Sequence, residues 1–282
     1  MRIGIDATCL PPAVAGAGRY IIGLVNGLAQ HEGDHEYHVF VKRSDAGRFA
    51  LNGNPAVSLH IITFENRPSR LMWEIFLTEK AIRGHRIDLW HAPHYISPLN
   101  TDAPVVVTIH DMAFLIYPEQ FPATKRSLFQ WAITRSGRRA DHLITTSQAT
   151  YDELNHTLAL GSIPVSVVHH GVHPLFEPHT LTEEAGDRLS RSGIVRPYIL
   201  SVGTTDRRKN FDTLLRAYHL LVKRSTTVPD LVLAGQPGSG HDDLIRLIRD
   251  LDLTEKVHLP GYVMESDLPS LYRSAELYVF PS

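Results

Sequence analysis

Short apolar runs alternate along the chain with longer stretches in which apolar positions recur every three or four residues. The short runs read as strands of a covered sheet, and the longer ones as helices burying a single stripe. Strands are predicted at 2–7, 37–41, 57–62, 88–91, 105–110, 142–146 and 165–169, with helices at 19–30, 68–84, about 124–139 and 148–160. Gly84 is the expected stop of the second helix. Between 171 and 196 the pattern lapses into a polar stretch holding Pro174, Pro178, Gly186 and Gly193, with room for one short helix at about 183–191. The alternation then restarts with strands at 198–202, 231–234, 257–259 and 277–280 and helices at 211–223, 242–251 and 268–275. Such a succession predicts an α/β protein made of two Rossmann-like doubly wound domains, 1–172 and 197–282, joined by a linker over 173–196. Four strands are fewer than a complete doubly wound domain carries, and a further helix is due after Phe280-Pro281-Ser282, so the second domain is expected to be truncated.

Composition narrows the partners. With 282 residues and 43% hydrophobic content the chain can bury two cores, and a net charge of -2 leaves no basic footprint for nucleic acid. Any phosphate must therefore be met locally. The single cysteine, Cys9, excludes an intramolecular disulfide and fits a reducing compartment, so a cytoplasmic location is expected. No apolar run approaches the roughly 20 residues of a membrane span, and the N-terminus reads as a strand rather than a signal peptide. The 17 histidines are scattered; His91 and His94 come closest to metal-ligand spacing but flank Pro93 without a third ligand nearby, so no metal is expected.

Ligands of open α/β sheets bind outside the carboxyl ends of the strands, which singles out four loops. The first ends in Gly16-Ala17-Gly18-Arg19-Tyr20 at a helix start, where glycines let backbone N–H groups approach an anion; it also suits a plain strand–helix turn, since the third glycine of a dinucleotide fingerprint is absent. The second, Thr108-Ile109-His110-Asp111, puts a polar pair at a strand's carboxyl edge. There His110 would donate to a substrate hydroxyl or leaving group and Asp111 would orient it or bind sugar hydroxyls, or the pair would simply cap the next turn. The third runs from Gly203 to Asn210 and carries Arg207, Arg208 and Lys209 into a helix start. Positive charge is unfavourable there unless an anion accompanies it, so a diphosphate gripped by Arg208 and Lys209 would resolve the conflict; solvated surface cations are the plainer alternative. The fourth, Gly235 to Gly240, precedes Asp242 and Asp243, whose carboxylates would repel a diphosphate. It is assigned to turn structure, with ribose contact through Gly235 or Gln236.

Taken in order, these pieces resemble the two-domain GT-B glycosyltransferases, specifically the retaining family 4. The resemblance rests on Gly4-Ile5-Asp6-Ala7 with Gly16-Ala17-Gly18-Arg19-Tyr20, on Thr108-Ile109-His110-Asp111, on 140–147, on Val168-His169-His170-Gly171-Val172 and on 201–210. It implies transfer of a hexose such as mannose from a nucleoside diphosphate sugar to a saccharide or lipid-linked acceptor, with retention and without a metal or other cofactor, in polysaccharide or lipopolysaccharide assembly. By that resemblance Arg208 and Lys209 hold the diphosphate and Gly16 and Gly18 approach it from the other domain. His110 sits beside the transferred sugar, Gly203 shapes the phosphate turn, and the turn Gly261-Tyr262-Val263 takes the nucleobase. Arg19, Tyr20 and Asp111 fall to the substrate side. Family members carry two glutamates seven residues apart beyond the Phe-Pro-Ser position, which this sequence lacks, and Arg207 stands where a proline is common. A non-catalytic nucleotide-sugar binder and a GT-B-shaped sugar-nucleotide epimerase are the alternatives, while a dehydrogenase is disfavoured because the fingerprint's ribose-binding acid is missing.

Helix 124–139 combines Lys125, Arg126, Arg135, Arg138 and Arg139 with Leu128, Phe129, Trp131 and Ile133. Many relatives act on lipid-linked acceptors, so this helix is a place for peripheral contact with the inner membrane face, against the simpler reading of a basic solvent face over an apolar core face.

Overall fold

Strand β1 (Arg2–Asp6) carries a glycine because its neighbour leaves no room: a Cβ on Gly4 would stand 2.5 Å from the indole of Trp90, which lies fully buried against it. The computed structural model describes residues 1–11, 16–31, 33–64, 66–158, 160, 162–176, 194, 197–225 and 227–282, which form two compact units, Met1–Gly171 and Val172–Ser282. The helix expected at 183–191 and most of the expected linker 173–196 lie outside the described residues.

In the first unit β1 is followed by α1 (Ala17–Gln30), β2 (Glu36–Lys42), β3 (Val57–Ile62), α2 (Arg67–Met72), α3 (Thr78–His85), β4 (Leu89–Ala92) and β5 (Val105–Ile109). Then come α4 (Ala113–Ile116), α5 (Ala123–Arg139), β6 (His142–Thr145), α6 (Gln148–Leu158) and β7 (Val165–Val167). The seven strands run in the order β3-β2-β1-β4-β5-β6-β7, every pair parallel. Alternation along β2 shows why both faces are covered. Val39 and Val41 point into a core with Ile5, Ile21 and Val25 of α1, and Phe40 between them points to the opposite core with Trp73, Trp90 and Phe129.

The helix expected over 68–84 is interrupted. Asn66 caps its start by accepting from Ser69 N at 3.0 Å, and a π turn, Trp73–Leu77, separates α2 from α3. The wider turn loosens carbonyls that Thr78 Oγ1 answers, at 2.7 Å from Trp73 O and 3.1 Å from Glu74 O. The helix also runs past Gly84 to His85, and the left-handed capping position is taken by Arg86 at φ 53° rather than by the glycine.

The second unit is smaller: β8 (Tyr198–Val202), α7 (Phe211–Arg224), β9 (Asp230–Ala234), α8 (His241–Asp250), β10 (Val257–Gly261), α9 (Leu268–Ser274) and β11 (Leu277–Tyr278). Its strands lie in the order β10-β9-β8-β11, again parallel. Leu231 and Leu233 face a core shared with α7 and α8, while Tyr198, Leu200 and Val232 face α9 and Phe176.

Candidate functional site

The sheet order of the first unit reverses between β1 and β4, so the crevice for a ligand opens at the carboxyl ends of β1, β4 and β5. His110 follows β5 there, half-buried. Its Nε2 lies 2.8 Å from Pro93 O, and since a carbonyl only accepts, the ring's N–H is spent on that bond. Burial holds the ring below its ordinary pKa, so it is neutral and Nδ1 keeps its lone pair. The ring nitrogen left open is thus an acceptor, where a donor was expected. Its backbone carbonyl is fixed by the hydroxyls of Thr146, at 3.0 Å, and Thr150, at 3.2 Å.

Tyr20, in the first turns of α1, sets its ring edge-on to His110 at 4.9 Å and to His170 at 5.0 Å. The phenol oxygen lies 3.1 Å from Thr108 Oγ1, which is itself 2.9 Å from His91 Nε2. Tyr20 is thus held as a wall of the crevice with its hydroxyl engaged. His91 is committed to Thr108 and burial pushes it down to about 4, so the His91/His94 pair is a structural one. Arg19 is exposed on α1, Gly16 stands at the helix start with φ 47°, and Gly18, the second residue of the helix, is buried. Asp111 is exposed, and its Oδ1 accepts from Ala113 N at 3.1 Å, opening α4, while its backbone N–H donates to Tyr95 Oη at 3.1 Å.

A buried acid pair that the sequence pattern does not signal lies beside this crevice. Asp6, at the carboxyl end of β1, accepts from Thr8 N at 2.9 Å and Thr8 Oγ1 at 2.7 Å, and Glu74 of the π turn reaches the same hydroxyl at 3.3 Å. Arg70 donates to Glu74 Oε1 at 2.7 Å, and Glu74 Oε2 is buried without a protein partner. Desolvation, then the facing Asp6 carboxylate, pushes Glu74 up to about 8, and burial likewise raises Asp6, so the pair holds a proton into the neutral range. Cys9 beside them is pushed well above its usual thiol range by burial and by both carboxylates, which disfavours its thiolate.

In the second unit the loops after β8, β9 and β10 interlock. Gly203 N donates to Ala234 O at 2.9 Å and Gly235 N to Gly261 O at 2.8 Å. Gly235, at φ 153°, would place a Cβ 1.9 Å from Gly203 O. Thr205 Oγ1 accepts from Gly238 N at 2.8 Å and Asp206 Oδ1 from Ser239 N at 3.1 Å, so the glycine-rich loop folds onto the cationic one, as its assignment to turn structure expects. The three cations form a single 3-10 turn, Arg207–Lys209, and Asn210 then adopts φ 56° to launch α7. Their fates differ. Arg207 is ion-paired with Asp243 of α8, so one of the three charges is balanced by the protein itself rather than awaiting an anion. Arg208 lies 3.7 Å from Asp206, and Lys209 Nζ stands 4.6 Å from the ring of Phe280. Tyr262 is 56% exposed after Gly261, whose φ of 74° turns the chain, and Val263 packs on the α9 core.

On α5 the faces are not divided as the sequence suggests. Phe129 and Ile133 are buried, but Trp131 is 41% exposed and stands among the cations. Arg135 instead turns back to the carbonyls of Pro98 and Leu99, and Lys125 sits over the rings of Phe121 and Phe129 at 5.3 and 5.5 Å.

Comparison with known proteins adds to this geometry. The profile of Glycosyltransferase Family 4 matches residues 14–174 and that of Glycosyl transferases group 1 matches residues 192–282. O-antigen chain mannosyltransferase B of Escherichia coli is 24% identical over 279 residues, spanning 95% of this chain and 73% of that protein. Among solved structures, sucrose-phosphate synthase from Thermosynechococcus elongatus superposes with a TM-score of 0.73 at 18% identity, over 100% of this chain and 75% of that one. The Anabaena protein Alr3699/HepE, solved with UDP and glucose, gives 0.67 at 18% identity, over 100% and 74%.

Proposed function

We propose, on the premise that this chain belongs to glycosyltransferase family 4, that it transfers a hexose, mannose first, from a nucleoside diphosphate sugar to a saccharide or lipid-linked acceptor with retention at the anomeric carbon. The chain is a glycosyltransferase of GT-B fold, similar to enzymes of polysaccharide assembly. The name of the Escherichia coli relative supports mannose, and the UDP and glucose bound by the Anabaena protein support a nucleotide-linked donor.

The observation that carries the reading is the turn Arg207–Lys209 at the start of the 14-residue helix α7. Arg207 is ion-paired with Asp243, Arg208 lies beside Asp206 and Lys209 over Phe280, and the three cations together precede the first backbone N–H groups of a helix that no side chain caps. A leaving diphosphate gains negative charge as the glycosidic bond breaks, and fixed positive groups stabilise it more in the transition state than in the ground state. These side chains would do at the diphosphate what a divalent ion does elsewhere, so no metal is invoked for the reaction. Gly203 and Gly235 hold the loops at the needed approach, and Tyr262 and Val263 offer the base its surface. On the first unit, His110 Nδ1 would accept from a sugar hydroxyl, Asp111 would take another, and Gly16, Gly18 and Arg19 would face the phosphates or the acceptor. The setting is the cytoplasmic side of a membrane where lipid-linked acceptors reside.

Lys209→Ala tests this. Transfer measured with a labelled nucleotide sugar and the protein's acceptor should lose about 10²–10³-fold in kcat, ~2.7–4 kcal/mol, as when one transition-state donor is deleted. An unaltered rate would remove the cationic turn from the chemistry.

A further inference from the structure

We propose that His38, His60 and His85 form a binding site for a divalent transition-metal ion, zinc first, on the outer part of the seven-stranded sheet. The site is independent of the sugar-transfer reading and lies on other residues.

Three separate elements bring the imidazoles together. The register of β2 with β3 sets His38 opposite Ser58 and Phe40 opposite His60, so the two histidines are two positions apart and share one face of the sheet. His85 is the last residue of α3, which crosses that face and ends there because Arg86 takes the left-handed conformation. One ligand nitrogen from each residue lies within 4.8 Å of the other two. His38 Nδ1 and His60 Nε2 are 2.9 Å apart, their rings stacked at 5.1 Å with an interplanar angle of 8°, and the His60 and His85 rings approach to 4.0 Å between centroids.

Imidazoles alone satisfy such a cluster poorly. One N–H can bridge His38 and His60, yet among the described residues His38 Nε2 is left buried without a hydrogen bond, and Glu36 Oε2 stands 3.8 Å from it. A tetrahedral zinc at about 2.0–2.1 Å from each nitrogen needs those nitrogens about 3.3 Å apart. His38 Nδ1 and His60 Nε2 would part by about 0.4 Å from their present 2.9 Å, and rotation of His85 about its two side-chain torsions would close the rest. Glu36 Oε2 lies by the opposite ring nitrogen, where it would hold the His38 ring through its Nε2–H while a water takes the fourth position. Burial and mutual repulsion keep His60 near 4 and depress His38, so both rings are neutral, the state in which imidazole lends a lone pair to a metal. Three neutral nitrogens and at most one carboxylate favour zinc, copper or nickel over magnesium or calcium, which take oxygen. The bound ion would pin the edge strand β3 and the end of α3 to β2.

The experiment is a calorimetric titration of the chelator-treated, intact chain with Zn2+, repeated with Co2+ for the visible absorption bands of a tetrahedral complex. The wild type should take up one equivalent and melt at a higher temperature with zinc than without. His60→Gln and His85→Gln should each lose that equivalent or bind at least about a hundredfold more weakly, while His156→Gln, on the exposed side of α6, should bind as the wild type does. His85 stands at a half-buried helix end, so its variant decides the matter if His60→Gln fails to fold. No stoichiometric uptake by the wild type, or uptake that survives in His85→Gln, would overturn the proposal.

Discussion

Asp6 and Glu74 meet across a single hydroxyl, and Thr8 Oγ1 has one hydrogen to give. Two carboxylates in so enclosed a place repel, so one proton stays with the pair, on Glu74 up to about pH 8. The folded-state pKa is raised above the unfolded one, near 4.5, so the folded protein binds this proton more tightly. Its contribution to stability is present at low pH and is lost as pH rises toward 8. We predict that the Glu74 proton gives the wild type's stability a downward slope of at most about 1.4 kcal/mol per pH unit from pH 5 to pH 8, set against the upward one from His60 and His91, which burial keeps neutral in the fold. Glu74→Gln, which keeps the shape without the charge, should flatten that slope and be the more stable protein at pH 9. Parallel thermal melts of the two proteins across this range check it, and equal slopes would sink it. Nothing in the sequence announces the pair, because Glu74 reaches it only from a π turn. The place of His110 was legible, because it follows a run of valines at a strand's end and stands at the carboxyl edge of β5. Its chemical role was not, since the partner that uses its N–H is the carbonyl of Pro93, on another loop.

Loops that interlock depend on groups as small as a missing methyl. Gly235 combines a backbone conformation closed to other residues with a carbonyl where a Cβ would go. Gly235→Ala should therefore cost ~3 kcal/mol or more in chemical denaturation and weaken nucleotide binding, because the loop it displaces carries Gly203 and leads into the cationic turn. A loss under ~1 kcal/mol would show that the crossing of the two loops relaxes easily. Most strands and helices could be read from periodicity, since each buries a face or stripe of regular spacing. What could not be read was interruption and pairing at a distance. The π turn leaves the apolar pattern of 68–84 intact, and the end at Arg86 rather than Gly84 reflects a residue accepting the left-handed region where glycine is only the cheaper choice. In the cationic turn the conflict with the helix dipole was legible, but its partial relief by Asp243 was not. That carboxylate lies a strand and a helix start further along the chain, in the very segment whose acidity argued against a phosphate there.

A net charge of -2 gives no general attraction to an anionic surface, so any such contact has to come from local concentration of cations. Helix α5 provides one. Lys125 is occupied by two aromatic rings and Arg135 by backbone carbonyls, which leaves Arg138 and Arg139 exposed beside Trp131 along a groove of about 560 Å³. A half-exposed indole flanked by guanidinium groups suits the boundary between headgroups and acyl chains. Among the described residues no helix is long and apolar enough to cross a membrane, so attachment through this helix would be peripheral. The sequence showed the charges but left open whether Trp131 faces the core, because helical spacing alone does not say where an apolar stripe stops. We predict that the protein sediments with vesicles containing an anionic phospholipid and not with purely zwitterionic ones, and that raising the salt concentration releases it. Each basic residue near such a surface contributes ~1 kcal/mol, so the double variant Arg138→Gln, Arg139→Gln should bind about thirtyfold more weakly while its melting temperature stays that of the wild type. Equal binding to both kinds of vesicle, or a double variant that binds as the wild type does, would mean that the basic end of α5 faces water.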